Sequence, residues 1–175
     1  VIAAVDTNNI LHSANMSIND TKLGCKNQGN VRYDQPLIET LYEDAAGQFN
    51  KSGEEWNWFA YKLSVPADGT YTLGVETAGC NNASYTIPLF VNGNAYTLTY
   101  SAKAQLVTAE VTLPAGEHVV TVFSPMPANE AAVTGTSNVD YPWCDFSSIV
   151  VDHMLTVSKP EASEVEACLT APDDT

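Results

Sequence analysis

Trp143 stands between Pro142 and Cys144, two residues after Tyr141 and two before Asp145. An indole or phenol plane offers flat apolar surface, and neighbouring carboxylates and amides offer hydrogen bonds at its rim. That combination suits a ligand whose apolar C–H faces are edged by hydroxyl groups. Trp56, after Gly53-Glu54-Glu55, is a second such ring at the start of an apolar run, and Tyr33 is a third, in the N-terminal part of the chain. Asn81 and Asn82 follow Cys80 and could supply amide contacts. The candidate ligand-binding residues are therefore Trp143, Tyr141, Asp145, Trp56, Tyr33, Asn81 and Asn82. Each has a plainer reading: a ring at a loop end can seal a core, and paired asparagines make turns. Trp58, on the same strand face as Trp56, reads as core. Tyr96 and Tyr100 share a face and read either as a second platform or as cross-strand packing.

Catalysis finds less footing. His12, His118 and His153 are scattered, and no Gly-x-Ser-x-Gly, His-Glu-x-x-His or phosphate-loop motif occurs. A glycosidase needs only two carboxylic acids, and acids are plentiful here, but it also needs a deeper cleft than one small sandwich supplies. The expectation is a binding module and not an enzyme. Cys25, Cys80, Cys144 and Cys168 form no Cys-x-x-Cys pair, which disfavours zinc. They admit three pairings, with one or two disulfides in an oxidising space, or buried thiols that pack as small apolar groups. Asn15, Asn19, Asn50 and Asn82 open Asn-x-Ser/Thr sequons, which chance supplies in a chain rich in these residues.

The formal net charge of -14 repels phosphate backbones and anionic membrane surfaces, so no nucleic acid is expected as a partner. A neutral polymer would be indifferent to that charge. No apolar run is long enough to span a bilayer, so no membrane insertion is expected. No signal-peptide pattern opens the chain at Val1, which reads as a mature fragment or a piece of a larger protein. Acidity, scarce Lys and Arg, abundant Thr, Asn and Ser, and the cysteines point to a secreted or cell-surface location.

These residues must be positioned by β-structure. The spacing predicts a first strand over Val1–Val5 and another within Ile10–Ile18. Leu37, Ile38, Leu41 and Tyr42 fit a helix between Pro36 and Gly47, or a strand with a long loop. From Trp56 the period is two: Trp56–Val65, a turn at Pro66–Gly69, then Tyr71, Leu73 and Val75 alternating with Thr72, Gly74 and Glu76. Gly79–Ser84 reads as a loop. Thr86–Val91 and Ala95–Tyr100 flank an Asn92-Gly93 hairpin turn. Val107–Leu113 and Glu117–Phe123 flank Pro114-Ala115-Gly116. Ser124–Pro142 reads as a long loop and Phe146–Val157 as the closing strand. Short antiparallel neighbours imply an all-β sandwich with at most one short helix. The β-sandwich domain spans residues 1–158, and 159–175 reads as an acidic linker or C-terminal extension.

Trp58-Phe59-Ala60-Tyr61-Lys62-Leu63-Ser64-Val65-Pro66-Ala67-Asp68-Gly69-Thr70-Tyr71 resembles the signature of family 6 and family 35 carbohydrate-binding modules. Pro88–Gly93 resembles their strand ending in an Asn-Gly turn. Val111–Val120 resembles their Leu-x-x-Gly-x-His hairpin, with His118 at a position they fill with a structural histidine. Asp145-Phe146-Ser147-Ser148-Ile149 resembles their last strand. The likeness covers residues 56–153 and extends to other galactose-binding-like sandwiches. It implies a jelly-roll-like antiparallel sandwich with a sugar site in the loops at one end. Asp145 stands where an asparagine is expected; a carboxylate accepts from hydroxyls but cannot donate as an amide does. Ser101–Leu106 also lacks the ring usual in that loop. The resemblance admits a structural calcium, with no organic cofactor. Asp6 near the first strand and Asp152 near the last could share one if those strands pair, since a hard cation gathers several oxygens; the plainer reading is two solvated acids.

The function expected is non-catalytic binding of a neutral polysaccharide or oligosaccharide (glucan, starch, xylan or similar) by ring stacking and polar contacts. The chain would be a monomeric module within a larger multidomain protein. The competing expectations are a structural or adhesive surface module and a small glycan-active enzyme domain.

Overall fold

A computed structural model of the chain describes residues 1–13, 16–18, 23–25, 58–80, 85–92, 94–100, 103–123, 126–127 and 144–168. The predicted helix within 36–50 lies outside these residues, as does most of the loop predicted over 124–142. The described strands are β1 (Ile2–Ala4), β2 (Leu11–His12), β3 (Met16–Ile18), β4 (Leu23–Cys25), β5 (Trp58–Val65), β6 (Gly69–Cys80) and β7 (Tyr85–Val91). They continue with β8 (Asn94–Tyr100), β9 (Leu106–Leu113), β10 (Gly116–Phe123), β11 (Met126–Pro127), β12 (Cys144–Asp152) and β13 (Thr156–Ser158). Among the described residues there is one α-helix, α1 (Ala162–Cys168), and no helix long and apolar enough to cross a membrane.

The strands form two antiparallel sheets. One runs β3-β4-β12-β6-β9, with β1 also on β12; the other runs β11-β7-β10-β5-β13, with β2 on β5 and β8 on β7. The all-β sandwich expected from the alternation is therefore present. Tyr71, Leu73 and Val75 of β6, Val107 and Val111 of β9, and Ile149 and Val151 of β12 face Phe59, Tyr61 and Leu63 of β5, Ile87 and Leu89 of β7, and Val120 and Val122 of β10 across one core. Burying each such side chain is worth roughly 1.5–3 kcal/mol.

The first half of β5 is buried on both faces, because Trp58 and Ala60 enter a second cluster. Trp58 and Ala60 join Phe90 of β7 and Phe123 of β10, and α1 caps them with Val165 and Cys168. Phe90 and Phe123 meet edge to face, with centroids 5.5 Å apart. Trp58 is thus a core residue, as its register predicts, although the core it serves lies on the outer face of its sheet.

The closing stretch differs from the expected single strand over Phe146–Val157. β12 ends at Asp152, whose carboxylate accepts from the Met154 amide at 3.0 Å while the Leu155 amide donates to the Asp152 carbonyl. The turn carries the chain to the other sheet, where β13 pairs with β5. The expected strand within Ile10–Ile18 is likewise split: β2 pairs with β5 in one sheet and β3 with β4 in the other. Part of the C-terminal extension is docked. Glu161 precedes α1, and Glu164 reaches back to accept from its amide at 2.9 Å, one half of a capping box. Cys168 Sγ–H donates to the Val119 carbonyl at 3.0 Å, and Lys62 Nζ donates to Glu164 at 3.1 Å.

Candidate functional site

Asp145 is the one proposed ligand residue that lies within the described structure. Trp143, Tyr141, Trp56, Tyr33, Asn81 and Asn82 lie outside the described residues. Asp145 is half-buried on β12 and registered against Gly79 of β6, next to the pair Cys144 and Cys80. β6 therefore continues through Gly79 to Cys80, two residues into the stretch expected to be loop. The extension is possible because the β6·β12 ladder slips twice: Ala78 is an extra residue on β6 and Ser147 an extra residue on β12. Such bulges bend a strand and re-aim its side chains, and they gather at sheet ends and beside sites. Ser147 Oγ–H donates to the Glu76 carbonyl at 3.1 Å, fastening the bulged strand to its neighbour.

On the other side of β6 the approach to β9 is pinned in the same region. The Thr77 amide donates to the Gln105 carbonyl at 2.8 Å, and the Gln105 amide donates to Thr77 Oγ1 at 2.9 Å. Thr77 is buried, so this reciprocal pair satisfies a hydroxyl that would otherwise be costly. Gln105 Nε2 donates to the Lys103 carbonyl at 3.1 Å. Thr77 and Gln105 position this end of the sheet and were missed by sequence reasoning. Their only signal is a threonine at an inward position of β6, and its partner is 28 residues away.

β1 pairs with β12, with Ile2 opposite Asp152 and Ala4 opposite Val150. That register does not bring Asp6 and Asp152 together. Asp6 is four residues beyond Ile2, about 13 Å along the strand at the usual rise. Each carboxylate serves its own turn: Asp6 accepts from the Asn8 amide at 2.9 Å and Asp152 from the Met154 amide. A calcium ion gathers six to eight oxygens, and among the described residues no group of three or more His, Cys, Asp or Glu could hold a metal. The pair Asp6 and Asp152 does not fit a shared cation.

Each histidine has a backbone carbonyl beside a ring nitrogen. His12 Nδ1 lies 2.8 Å from the Ser13 carbonyl and His153 Nδ1 lies 2.8 Å from the Val1 carbonyl. His118 is buried and its Nε2 lies 2.7 Å from the Pro114 carbonyl, the structural role expected of it. Tyr96, opposite Leu89, is half-buried against the main core, which is the packing alternative for that ring.

No protein-family model matches the chain, and no curated protein matches it. Among solved structures it is similar to a family 35 carbohydrate binding module from an environmental isolate, at 18% identity and TM-score 0.44, over 61% of this chain and 73% of that one. It is similar to a family 35 carbohydrate binding module from Clostridium thermocellum at 12% identity and TM-score 0.42, over 86% of this chain and 89% of that one. It is also similar to a family two carbohydrate esterase from Cellvibrio japonicus at 13% identity and TM-score 0.45, over 92% of this chain and 36% of that one.

Proposed function

We propose that this chain is a non-catalytic carbohydrate-binding module that holds a neutral polysaccharide, such as a glucan, starch or xylan, where β6 ends and β12 begins. One observation carries this. Cys144 and Asp145 are registered against Cys80 and Gly79; Trp143 directly precedes Cys144 and Asn81 directly follows Cys80 in sequence. A ring and an amide are therefore adjacent in sequence to that registered pair, and the Asp145 carboxylate follows it by one residue. Rings stack on the C–H faces of a sugar, while amide and carboxylate groups take its hydroxyls. Further support comes from the four motif segments, which fall on β5–β6, the end of β7, β9–β10 and β12 in the order the resemblance implies. Within a larger secreted or cell-surface protein, the module would raise the local concentration of an attached domain on its polymer.

Affinity electrophoresis through gels containing a panel of glucans, starch and xylans tests this. The unaltered chain is retarded by at least one polymer, and Trp143→Ala weakens retention about tenfold, the loss of one stacked ring. The proposal fails if no polymer retards the chain, or if Trp143→Ala and Trp56→Ala both migrate as it does.

A further inference from the structure

We propose that Cys80 and Cys144 form a disulfide that fastens the ends of β6 and β12. They are the terminal registered pair of the β6·β12 ladder. Directly opposed residues of an antiparallel pair have Cα atoms about 4.5 or 5.5 Å apart, depending on whether they are hydrogen-bonded. Both spacings lie inside the roughly 4.4–6.8 Å window that a disulfide spans. Directly opposed residues also carry their Cβ atoms on one side of the sheet.

The alternatives are weaker. Cys25 lies on β4, at the opposite edge of β12, where the registered pair among the described residues is Phe146 with Leu23. Cys25 is level with Cys144 only if that register is carried two residues further. The β6·β12 ladder, by contrast, includes Cys144 and Cys80 themselves. Cys168 lies in α1, over the outer face of the other sheet, so that whole sheet stands between it and the Cys80 and Cys144 pair.

The reaction balances as thiol–disulfide exchange with a small disulfide oxidant such as glutathione disulfide. One thiolate attacks the oxidant, releasing one glutathione thiolate and leaving a mixed disulfide. The second thiolate attacks that mixed disulfide, expelling the second glutathione and closing the Cys80–Cys144 bond. The two protein thiols give up two protons and two electrons, and the oxidant becomes two glutathione molecules.

The bond would close a long loop that contains β7 to β11, so its main effect falls on the unfolded chain. Resting on the function proposed above, it would also hold the chain ends that lead to Trp143 and Asn81 side by side.

The test is peptide mapping of the full chain after equilibration with oxidised glutathione, with free thiols alkylated under denaturing conditions and no reductant. A linked peptide containing Cys80 and Cys144 is expected, and Cys25→Ser keeps it. Reduction lowers Tm by about 10 °C, the shift that long-loop closure implies for a chain of this size. A peptide linking Cys25 to Cys144, or complete alkylation of both Cys80 and Cys144, overturns the proposal. The map is read without any glycan, so its outcome is separate from whether a polysaccharide binds. If the disulfide is present and polymer retention is lost on reduction, the bond also organises the binding edge.

Discussion

Asn92 Nδ2 donates to His118 Nδ1 at 2.7 Å, joining the turn between β7 and β8 to the face of β10. His118 Nε2 lies 2.7 Å from the Pro114 carbonyl, so one ring ties two hairpin ends. Asn92 has a φ of 51°, a left-handed conformation that asparagine and glycine tolerate best. His118→Ala should therefore cost about 2–3 kcal/mol, through a lost buried ring and two unpaired partners. Asn92→Gly should cost about 1 kcal/mol and Asn92→Ala more, because alanine adds backbone strain to the lost bond. Urea denaturation of the three variants checks the order. Equal losses for the Gly and Ala variants would remove the backbone argument.

Tyr61 is fully buried, and among the described residues its phenolic oxygen has no hydrogen-bond partner. Burial pushes its pKa far above the ordinary tyrosine value, so the ring stays neutral. Tyr61→Phe removes an unsatisfied hydroxyl while keeping the ring, and should stabilise the fold by about 1–2 kcal/mol. A fall in the urea midpoint would show that the hydroxyl has a favourable partner.

Gly74 lies in β6 opposite Thr108 of β9. A Cβ there would stand 2.1 Å from the Val107 carbonyl oxygen and 2.8 Å from the Thr108 Cα, both backbone atoms that cannot step aside singly. Gly74→Ala should cost about 3 kcal/mol by forcing the strands apart. Hydrogen exchange should report lost protection along β6 and β9 and not along β5. Unchanged protection would mean that the ladder has more slack than its geometry implies.

The docking of α1 should depend on pH from both sides. Glu164 is held below the usual carboxylate range, first by the Glu161 amide and then by Lys62. Its contribution is complete above the ordinary glutamate pKa and is lost as pH falls through its lowered folded value. Lys62 is raised above the ordinary lysine value, chiefly by its hydrogen bond to Glu164. Its contribution is complete below that ordinary value and fades as pH rises through the raised one. Protection factors of Val165 and Cys168 amides, corrected for intrinsic exchange, should be highest between these limits. Glu164→Gln should flatten the acid side, and a profile unchanged by that variant would exclude the pair as its source.

If the polymer is neutral, retention in the affinity gel should not change between low and physiological salt, because no ion pair drives it. Asp145→Ala should weaken retention several-fold through a lost hydroxyl acceptor. Strong salt dependence would point instead to a charged ligand.

The strands from β5 to β10 were legible because each sets Leu, Val, Ile, Phe or Tyr at alternate positions, and because Asn92-Gly93 and Pro114-Ala115-Gly116 mark the turns between them. Gly79 was misread as loop because a glycine signals a break locally, whereas here two offset bulges carry the strand past it. The helix was missed although Pro160, Glu161 and Glu164 form a start signal, because the acidic composition around them suggested a linker. At the candidate site, the rings and amides were visible as residue types. The neighbours that position the edge, Gln105 against Thr77 and Asp145 against Gly79, were not.

The sequence by itself determined that this chain alternates in strands, which residues of each strand turn inward, and where the tight turns fall, since the two-residue period of a strand is a local property. Tertiary structure alone decided that the outer face of β5 carries a second core under α1, that the chain changes sheets after Asp152, and that Cys80 falls in register with Cys144. Those outcomes depend on register and docking, which are set by contacts between distant segments competing for the same apolar surface.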